Sequence, residues 1–393
     1  MGTSTQKVGR VAAIDIGGTK IAGGVVDGYG QVLYATSRPT PVPATPIGSA
    51  AGGASDHASD GVSAAAAEVM ATVYAVLDEL AASPAWDGVD AVGIGSAGPV
   101  DVANGTVSPV NIPAWRSFPL IAQTALHPAV GERPLTLAGD AVAMAAGEHL
   151  YGAAVGHANA LCMVVSTGVG GGLVLGGRVM PGPTGNAGHI GHITVDLDGE
   201  PCPCGGRGCL ERLASGPSIV RRALSFGWVP QGSDAQADAQ PYPQAPAEAD
   251  ARPGARPATA AATATAAARS VAVTHSAAAV ARSAAAGDRA ALAAFDRAAQ
   301  ALAAGIAATA ALVELDLVVI GGGVAQAGEL LFAPLRGWLT QYATLAFTRH
   351  LTVVPGRLGV HAGLVGAAAC ARSGAFPTHH PDTRAGNSAV AWA

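Results

Sequence analysis

The amino-acid sequence predicts an α/β fold of two domains. Two segments, residues 11–26 and 161–179, share one plan: a short apolar strand, a glycine-rich turn and a second apolar strand. Apolar residues recur at helical spacing over residues 64–81 and 290–313. A chain of 393 residues that is 50% hydrophobic is long enough to bury two such cores.

The first segment is predicted to open a meander of three strands, because an apolar run at residues 32–34 follows it after a polar turn. A helix is expected over residues 64–81, a strand over 89–94, and a second helix from just after Asp140 to Leu150. The first domain therefore mixes strands and helices.

The second segment contains a strand at residues 161–165 and a turn at 166–172, followed by another apolar run. A long alanine-rich helix, 290–313, then leads to a buried strand at 317–320 and a third glycine turn at 321–323. The repeated plan indicates a second domain similar to the first.

Three stretches lack this periodicity. Residues 39–61 are rich in Pro, Ala, Gly and Ser, and we expect a long surface loop there. Residues 231–268 cannot bury enough apolar surface to offset the entropy of ordering, so a disordered insertion is predicted. Residues 373–393 are expected to form a flexible tail.

Charge and composition exclude several classes of partner. The net charge is −5 and no basic run is present, whereas nucleic-acid binding needs clustered Lys and Arg. The first ten residues are polar, and Asp15 interrupts the short apolar stretch after them, so neither a signal peptide nor a membrane-spanning helix is expected. Five cysteines in a chain of this length fit reduced thiols in the cytoplasm better than a disulfide framework.

The densest chemical signal is a group of four potential zinc ligands within eighteen residues: His192, Cys202, Cys204 and Cys209. Three thiols and one imidazole form a standard tetrahedral set for structural zinc. The single residue between Cys202 and Cys204 requires a tight turn, which the glycines that follow allow. A zinc site is predicted, with buried cysteines acting as small hydrophobic residues as the alternative.

Two glycine-rich turns can bind phosphate. The turn Asp15-Ile16-Gly17-Gly18-Thr19-Lys20 exposes backbone N–H groups and the Thr19 and Lys20 side chains, although a plain hairpin is the alternative. It is not a P-loop, because a strand follows it rather than a helix. The turn 166–172 is the second, and such a pair could hold a nucleotide from both sides. The third turn, 321–323, would admit an adenine ring or ribose, or it serves helix packing.

One further glycine motif resembles a different kind of nucleotide-binding site. Gly93-Ile94-Gly95-Ser96-Ala97-Gly98 matches the dinucleotide-binding pattern G-x-G-x-x-G after a strand. Pro99 and a turn-rich segment follow where a Rossmann helix should begin, so dinucleotide binding is not predicted.

Together these motifs resemble the ROK family of bacterial sugar kinases. They follow that family's order between about residues 11 and 371: the turns 15–20, 166–172 and 321–323, Gly188-His189-Ile190-Gly191-His192, and the Cys-x-Cys-Gly-x-x-Gly-Cys-x-Glu run ending at Glu211. The resemblance implies a two-domain actin-like (hexokinase-like, ribonuclease H-like) ATPase fold with a zinc-binding loop. One lobe would comprise residues 8–137 and 358–372, and the other residues 138–357.

The resemblance also implies ligands. Similar kinases bind a sugar and MgATP, carry Zn²⁺ beside the sugar site, and often form homodimers. ROK repressors have a DNA-binding helix-turn-helix in front of this core. Only about ten residues precede the first motif here, which favours the kinase.

Single residues receive roles from the same resemblance. Asp140 corresponds to the general base that accepts the proton of the sugar 6-hydroxyl, although an aspartate at a helix start is by itself more often an N-cap. Gly139 stands where the family usually has a sugar-contacting Asn. The implied sugar-binding residues are Gly98, Asn111, Asp140, His189, His192 and Glu211. The implied nucleotide-binding residues are Asp15, Gly17, Gly18, Thr19, Lys20, Thr167, Gly168, Gly170, Gly322 and Gly323.

His189 bears on the identity of the sugar. Most ROK glucokinases have Glu at this place, whereas some bacterial N-acetylmannosamine kinases resemble this chain in carrying Ala-Gly-His-Ile-Gly-His. A neutral imidazole offers one donor and one acceptor and could meet a 2-acetamido carbonyl, while a carboxylate only accepts. We therefore expect a kinase for the 6-hydroxyl of an N-acylhexosamine or of glucose. The alternatives are a glucokinase proper and a non-catalytic sugar-sensing protein.

Overall fold

The computed structural model describes residues 9–41, 63–230 and 275–381. The predicted surface loop 39–61 lies almost entirely outside these residues, and the predicted insertion 231–268 lies wholly outside them. Over the described ranges, no helix is both long and apolar enough to cross a membrane.

The chain divides into two compact units. The first unit comprises the described residues up to Ala143, the segment Pro181–Asn186, and the described residues from His361 onward. The second unit comprises Met144–Met180 and Ala187–Val360. The boundaries predicted from the sequence lie a few residues from these, and the return of Pro181–Asn186 to the first unit was not among the predictions.

The first unit is built on a six-stranded sheet. Its strands are β1 (Arg10–Ile16), β2 (Lys20–Val26), β3 (Val32–Pro39), β4 (Val89–Ser96), β7 (Leu135–Gly139) and β13 (Thr378–His379), and a separate hairpin is formed by β5 (Val100–Asp101) and β6 (Thr106–Val107). Its helices are α1 (Ala64–Ala82), α2 (Leu120–Ala125), the start of α3 (Asp140–Tyr151) and α9 (Ala362–Ser373). The sheet order is β13-β7-β4-β1-β2-β3, with β1 antiparallel to β2 and parallel to β4.

Helices cover both faces of this sheet. Successive residues of a strand point to opposite faces, so Ile14 of β1 packs in the core that contains α1, and Ala13 packs in the core that contains α9. The approach of α9 to β4 depends on Gly93, where a Cβ atom would lie 2.3 Å from the carbonyl oxygen of Ala367. Burial on both faces explains why β1 and β2 are almost continuously apolar.

The second unit is built on a five-stranded sheet. Its strands are β8 (Ala160–Val165), β9 (Val169–Leu175), β10 (Arg178–Met180), β11 (Leu317–Gly321) and β12 (Thr352–Pro355). Its helices are the rest of α3, α4 (Glu211–Ala214), α5 (Gly216–Ser225), α6 (Ala277–Ala285), α7 (Arg289–Val313) and α8 (Glu329–Tyr342). The order is β10-β9-β8-β11-β12, with β11 parallel to both β8 and β12.

The alanine-rich helix α7 forms the centre of the second core. Asp288 caps its N-terminus by accepting a 2.8 Å hydrogen bond from the Ala291 N–H. Most of its alanines are buried together with Phe295, Leu302 and Ile306, so small side chains allow neighbouring helices to approach closely. The predicted long helix is confirmed, with its start one residue earlier than expected.

The α/β class predicted from the sequence is confirmed, and two local predictions need correction. The glycine-rich segment 166–172 is not a turn throughout, because residues from Val169 onward pair with β8 as part of β9. The predicted tail is ordered over its first part, where Thr378–His379 pairs with β7 and His379 Nε2 lies 2.9 Å from the Val102 carbonyl oxygen. The pairing of β13 with β7 joins residues that are distant in the chain, so it has no local sequence signal.

Candidate functional site

The first glycine turn joins β1 to β2 in the first unit. The Gly17 N–H donates to the Lys20 carbonyl at 3.0 Å, which closes a tight hairpin. Thr40 holds the turn from outside, since its hydroxyl donates to the Gly17 carbonyl at 2.7 Å and its N–H donates to the Thr19 carbonyl at 3.0 Å. The side chains of Thr19 and Lys20 are exposed, so they are available to an anion.

Asp15 lies at the end of β1, just before this turn. Burial raises the pKa of its carboxyl to about 6, and the positive charge of Lys20 opposes that rise. The carboxylate fits beside α9 only because residue 363 is glycine: a Cβ there would lie 2.2 Å from Asp15 Oδ2. Asp15 is thus an acid held in a site that is costly for its charged form.

The side chain of Asn111 lies against the same turn. A Cβ atom on Gly18 would lie 2.4 Å from Asn111 Nδ2, so glycine is required for this approach. The Val110 N–H donates to the Gly98 carbonyl at 3.3 Å, which links the segment around Asn111 to Gly98. Within the first unit, therefore, the structure brings together predicted phosphate-binding and sugar-binding residues.

Asp140 is the first residue of α3, directly after β7. Its Oδ1 accepts a 2.7 Å hydrogen bond from the Ala141 N–H, so the carboxylate is oriented by the start of the helix. Behind it, a Cβ on Gly139 would lie 3.4 Å from the Gly185 carbonyl oxygen. The segment Pro181–Asn186 therefore occupies space near the position where similar kinases carry an Asn side chain.

The second glycine turn and Glu211 meet in the second unit. Glu211 begins α4, and its Oε2 accepts a 2.9 Å hydrogen bond from the Val169 N–H. Gly168 leaves room for this carboxylate, because a Cβ there would lie 2.7 Å from Glu211 Oε2. The Gly216 N–H donates to the Ser166 carbonyl at 2.7 Å and ties the same turn to α5, while Thr167 is exposed.

The motif Gly188-His189-Ile190-Gly191-His192 packs directly on β9. A Cβ on Gly191 would lie 1.8 Å from the Val169 carbonyl oxygen, and one on Gly188 would lie 2.9 Å from the Gly171 carbonyl oxygen. Gly188 also has a φ of +84°, a conformation that favours glycine. The glycines of this motif thus allow backbone to contact backbone.

His189 and His192 leave this motif side by side, with ring centroids 5.2 Å apart and planes inclined by 18°. Desolvation, and then the electrostatic effect of neighbouring His192, lower the pKa of His189. A neutral ring with one donor and one acceptor is therefore favoured at position 189.

The four predicted zinc ligands converge. The ligand atoms of His192, Cys202, Cys204 and Cys209 all lie within 4.8 Å of one another. Cys202 Sγ is 3.7 Å from His192 Nδ1, and Cys204 Sγ is 3.7 Å from Cys209 Sγ. Tetrahedral zinc with bonds of about 2.3 Å to sulfur sets its ligands about 3.8 Å apart, so the geometry fits that ion.

The third glycine turn follows β11 in the second unit. Gly322 has a φ of +91°, and a Cβ there would lie 2.5 Å from the Val165 carbonyl oxygen at the end of β8. Gly323 has open space where a Cβ would lie. Gly322 is therefore required by the chain itself, whereas the space at Gly323 is available to a ligand.

A family model confirms what these motifs suggested: the model described as "ROK family" matches residues 11–373. This chain belongs to the ROK family. The match includes the three glycine turns, the two-histidine motif and the cysteine cluster.

Several relatives of this ROK protein are sugar kinases. A glucokinase from Streptomyces coelicolor is 31% identical over 366 residues, which cover 93% of this chain and 98% of that protein. An N-acetylmannosamine kinase from Shigella boydii is 34% identical over 215 residues, covering 54% of this chain and 63% of that protein. The crystal structure of a ROK family glucokinase from Streptomyces griseus, in complex with glucose and AMPPNP, is 31% identical with a TM-score of 0.65, covering 93% of this chain and 99% of that one.

Two residues of this ROK site were not found from the sequence. Thr40 fastens the first glycine turn, and Gly363 makes room for the Asp15 carboxylate. Both are distant in the chain from the groups they contact. A single sequence carries no signal for either contact, because nothing local marks a threonine or a glycine as the partner of a remote turn.

Proposed function

We propose that this ROK protein is an ATP-dependent sugar kinase that transfers the γ-phosphoryl group of ATP to the 6-hydroxyl of a hexose or N-acylhexosamine. The observation that carries the proposal is the likeness, over 93% of the chain, to a glucokinase whose structure holds glucose and AMPPNP. The two glycine turns and Asp140 supply the groups that such a reaction needs.

The proposed chemistry is a direct transfer with Asp140 as the base. The 6-hydroxyl oxygen forms a bond to the γ-phosphorus, and the bond from that phosphorus to the β–γ bridging oxygen breaks. The electron pair of the broken bond leaves with ADP, and the hydroxyl proton passes to the Asp140 carboxylate. Its hydrogen bond to the Ala141 N–H fixes the orientation of the base.

The glycine turns are proposed to bind the phosphates. Exposed Lys20 and Thr19 would act with the backbone N–H groups of the first turn, and Thr167, Gly168 and Gly170 would act from the second. Asp15 fits as the residue that would hold the Mg²⁺ of MgATP, which supplies charge neutralisation along the phosphates.

Zinc is proposed to have a structural role. His192, Cys202, Cys204 and Cys209 would hold it, with His192 contributing Nδ1. Glu211 follows the last cysteine by two residues, so ordering of the cysteine loop positions a carboxylate proposed to contact the sugar.

The proposed sugar is an N-acylhexosamine such as N-acetylmannosamine, with glucose as the second candidate. His189 favours the first, because its neutral ring can donate to an acetamido carbonyl. The glucokinase relatives match more of the chain and favour the second. A non-catalytic sugar-sensing role is the alternative from another class, motivated by Gly139 and His189 in place of the usual polar groups.

A coupled assay of ADP release tests the proposal. Purified protein is assayed with ATP and glucose, mannose, N-acetylglucosamine or N-acetylmannosamine, and we expect one N-acetylhexosamine or glucose to be preferred in kcat/KM. Sugar binding without turnover would support the sensing role. Folded protein that neither binds nor phosphorylates any of these sugars would refute the kinase.

A further inference from the structure

The segment that carries Asn111 is a closed loop. We call residues 108–118 the Asn111 loop; it connects β6 to α2. Val107 and Phe118 bond to each other through both backbone groups at 3.0 and 2.9 Å, and the Ser117 N–H donates to Ser108 Oγ at 2.8 Å. The two ends of the loop are therefore held together independently of any ligand.

The inner side of the Asn111 loop is anchored in the core. Trp115 is fully buried, its Nε1 donates to the Ala66 carbonyl at 3.2 Å, and its ring stacks on Phe118 with centroids 4.5 Å apart. Ile112 is also buried. These contacts fix one side of the loop to α1, but they do not by themselves determine the arc between Pro109 and Ile112, on which Asn111 lies.

Backbone hydrogen bonds from the Ile112 N–H to the Pro109 carbonyl at 3.2 Å and from the Val110 N–H to the Gly98 carbonyl at 3.3 Å hold that arc, and Arg116 adds side-chain contacts to it. Its Nη1 lies 3.0 Å from the Pro109 carbonyl oxygen, 3.4 Å from that of Ile112 and 2.8 Å from that of Trp115. One nitrogen of the guanidinium thus contacts three carbonyl oxygens, which belong to residues on both sides of Asn111. Hydrogen bonds to a charged donor are stronger than those between neutral groups.

Asn111 is the exposed residue that these contacts hold in place. Its backbone is held between the carbonyls bound by Arg116, and its side chain reaches the Gly18 turn, where a Cβ would lie 2.4 Å from Nδ2. The amide of Asn111 therefore packs against the Gly18 turn. Preorganised groups bind more tightly because less side-chain and loop entropy is lost on binding.

We propose that Arg116 is a positioning residue that presets Asn111 for a polyhydroxylated ligand. The proposal rests on the proposed sugar-kinase function, which it extends to a residue outside the motifs. Arg116 acts through Asn111 and does not itself contact the sugar. All three contacts are made by Nη1, which lies one bond farther along the side chain than the Nζ of a lysine, so lysine is not an equivalent replacement even though it retains the charge.

Steady-state kinetics with a double-mutant cycle test this role. Arg116→Ala is expected to raise the KM for the sugar on the order of tenfold while lowering kcat by much less, because ground-state positioning is lost and the base is untouched. Arg116→Lys should resemble Arg116→Ala. The double variant Arg116→Ala/Asn111→Ala should have the sugar KM of Asn111→Ala alone, since Arg116 has nothing left to position. Fully additive effects would overturn the proposal.

A matched control distinguishes the effect of Arg116 on the sugar KM from the general effect of removing an arginine. Arg38 lies on exposed β3 in the same unit, where its Nε donates to Glu79 Oε1 at 2.8 Å. Arg38→Ala should leave the sugar KM within about twofold of the wild type. A KM change in this control equal to that of Arg116→Ala would count against a specific role.

Hydrogen exchange tests whether Arg116 stabilises the Asn111 loop, even if no sugar is phosphorylated. In the ligand-free chain the Ile112 N–H donates to Pro109 and the Trp115 N–H donates to Ile112, at 3.2 and 2.9 Å. Both amides should exchange at least about tenfold faster in Arg116→Ala, while amides in β1 keep their wild-type rates. Unchanged exchange at both positions overturns the proposal about Arg116, whereas absent turnover in the wild type contradicts only the proposed function.

Discussion

Glu211 Oε2 accepts a 2.9 Å hydrogen bond from the backbone N–H of Val169. This bond joins the end of the cysteine motif to the glycine hairpin formed by β8 and β9. A carboxylate proposed to contact the sugar is therefore already engaged, through one oxygen, with the turn proposed to bind phosphate.

Replacement of Glu211 should separate its structural hydrogen bond with Val169 from its proposed contact with the sugar. Glu211→Gln keeps an acceptor for Val169, so the free energy of unfolding should fall by less than about 1 kcal/mol, whereas Glu211→Ala leaves that N–H without its partner and should cost about 1–3 kcal/mol. Both variants should raise the sugar KM. Urea unfolding and kinetics measure the two effects, and equal stability of both variants would contradict this account.

Asp140→Asn should fold normally but lose turnover by about 10²- to 10⁴-fold, because the shape is kept while the proposed general base is removed. Coupled ADP release measures the rate. Asp101→Asn is the matched control, since Asp101 accepts hydrogen bonds from the Ala103 and Asn104 N–H groups in a turn of the same unit, where Asn can replace it. Normal activity in Asp140→Asn would remove this residue from the mechanism.

Wild-type protein should contain about one zinc ion per chain, and Cys204→Ser should contain almost none, because a Cys₃His site needs all four ligands. The sugar KM of Cys204→Ser should rise at least about tenfold as the order of the loop before Glu211 is lost. Metal analysis by mass spectrometry gives the content. Cys370→Ala, in buried α9, should retain both zinc and affinity; wild-type protein free of zinc would refute the site.

Asp15 should give the ligand-free protein a characteristic pH dependence. Folding raises the pKa of this carboxyl from 3.8 to about 6, so its contribution to stability is complete below pH 3.8 and is lost as the pH rises through about 6. Asp15→Asn removes the ionised form and should be more stable than the wild type by up to about 3 kcal/mol at pH 7, with little difference at pH 4. Urea unfolding at both pH values measures the difference in the free energy of unfolding between this variant and the wild type. A difference that is independent of pH would contradict the raised pKa of Asp15. The same variant should lose affinity for MgATP.

Gly191→Ala should be among the most destabilising single-methyl changes in the second unit. The new Cβ would lie 1.8 Å from the Val169 carbonyl oxygen, and backbone cannot move aside cheaply, so we expect a loss of about 3 kcal/mol or more. Gly337→Ala is the opposite case, since the site lies exposed in α8 with nothing within 4 Å, and helix propensity should stabilise it by about 0.5–1 kcal/mol. Thermal unfolding compares them, and similar melting temperatures would be inconsistent with the packing described.

The features that could be predicted are those encoded by neighbouring residues. Strand periodicity identified the two hairpins, and the close spacing of Cys202, Cys204 and Cys209 indicated a cluster whose convergence the structure shows. The hydrogen bonds from Arg116, the contact of Gly363 with Asp15 and the pairing of β13 with β7 involve long-range partners. Nothing in a single sequence relates such residues, because each contact is created by the tertiary fold.

The return of Pro181–Asn186 and of α9 to the first unit has a consequence for synthesis on the ribosome. The unit that begins at the N-terminus lacks a layer until its last helix emerges, because α9 packs against β4 through the contact of Gly93 with Ala367. The face of β1 and β4 that α9 later covers therefore stays exposed while the second unit is translated. The first unit cannot be obtained as one contiguous fragment, because its segments come from both ends of the chain, and the pieces of a nicked chain should therefore remain associated.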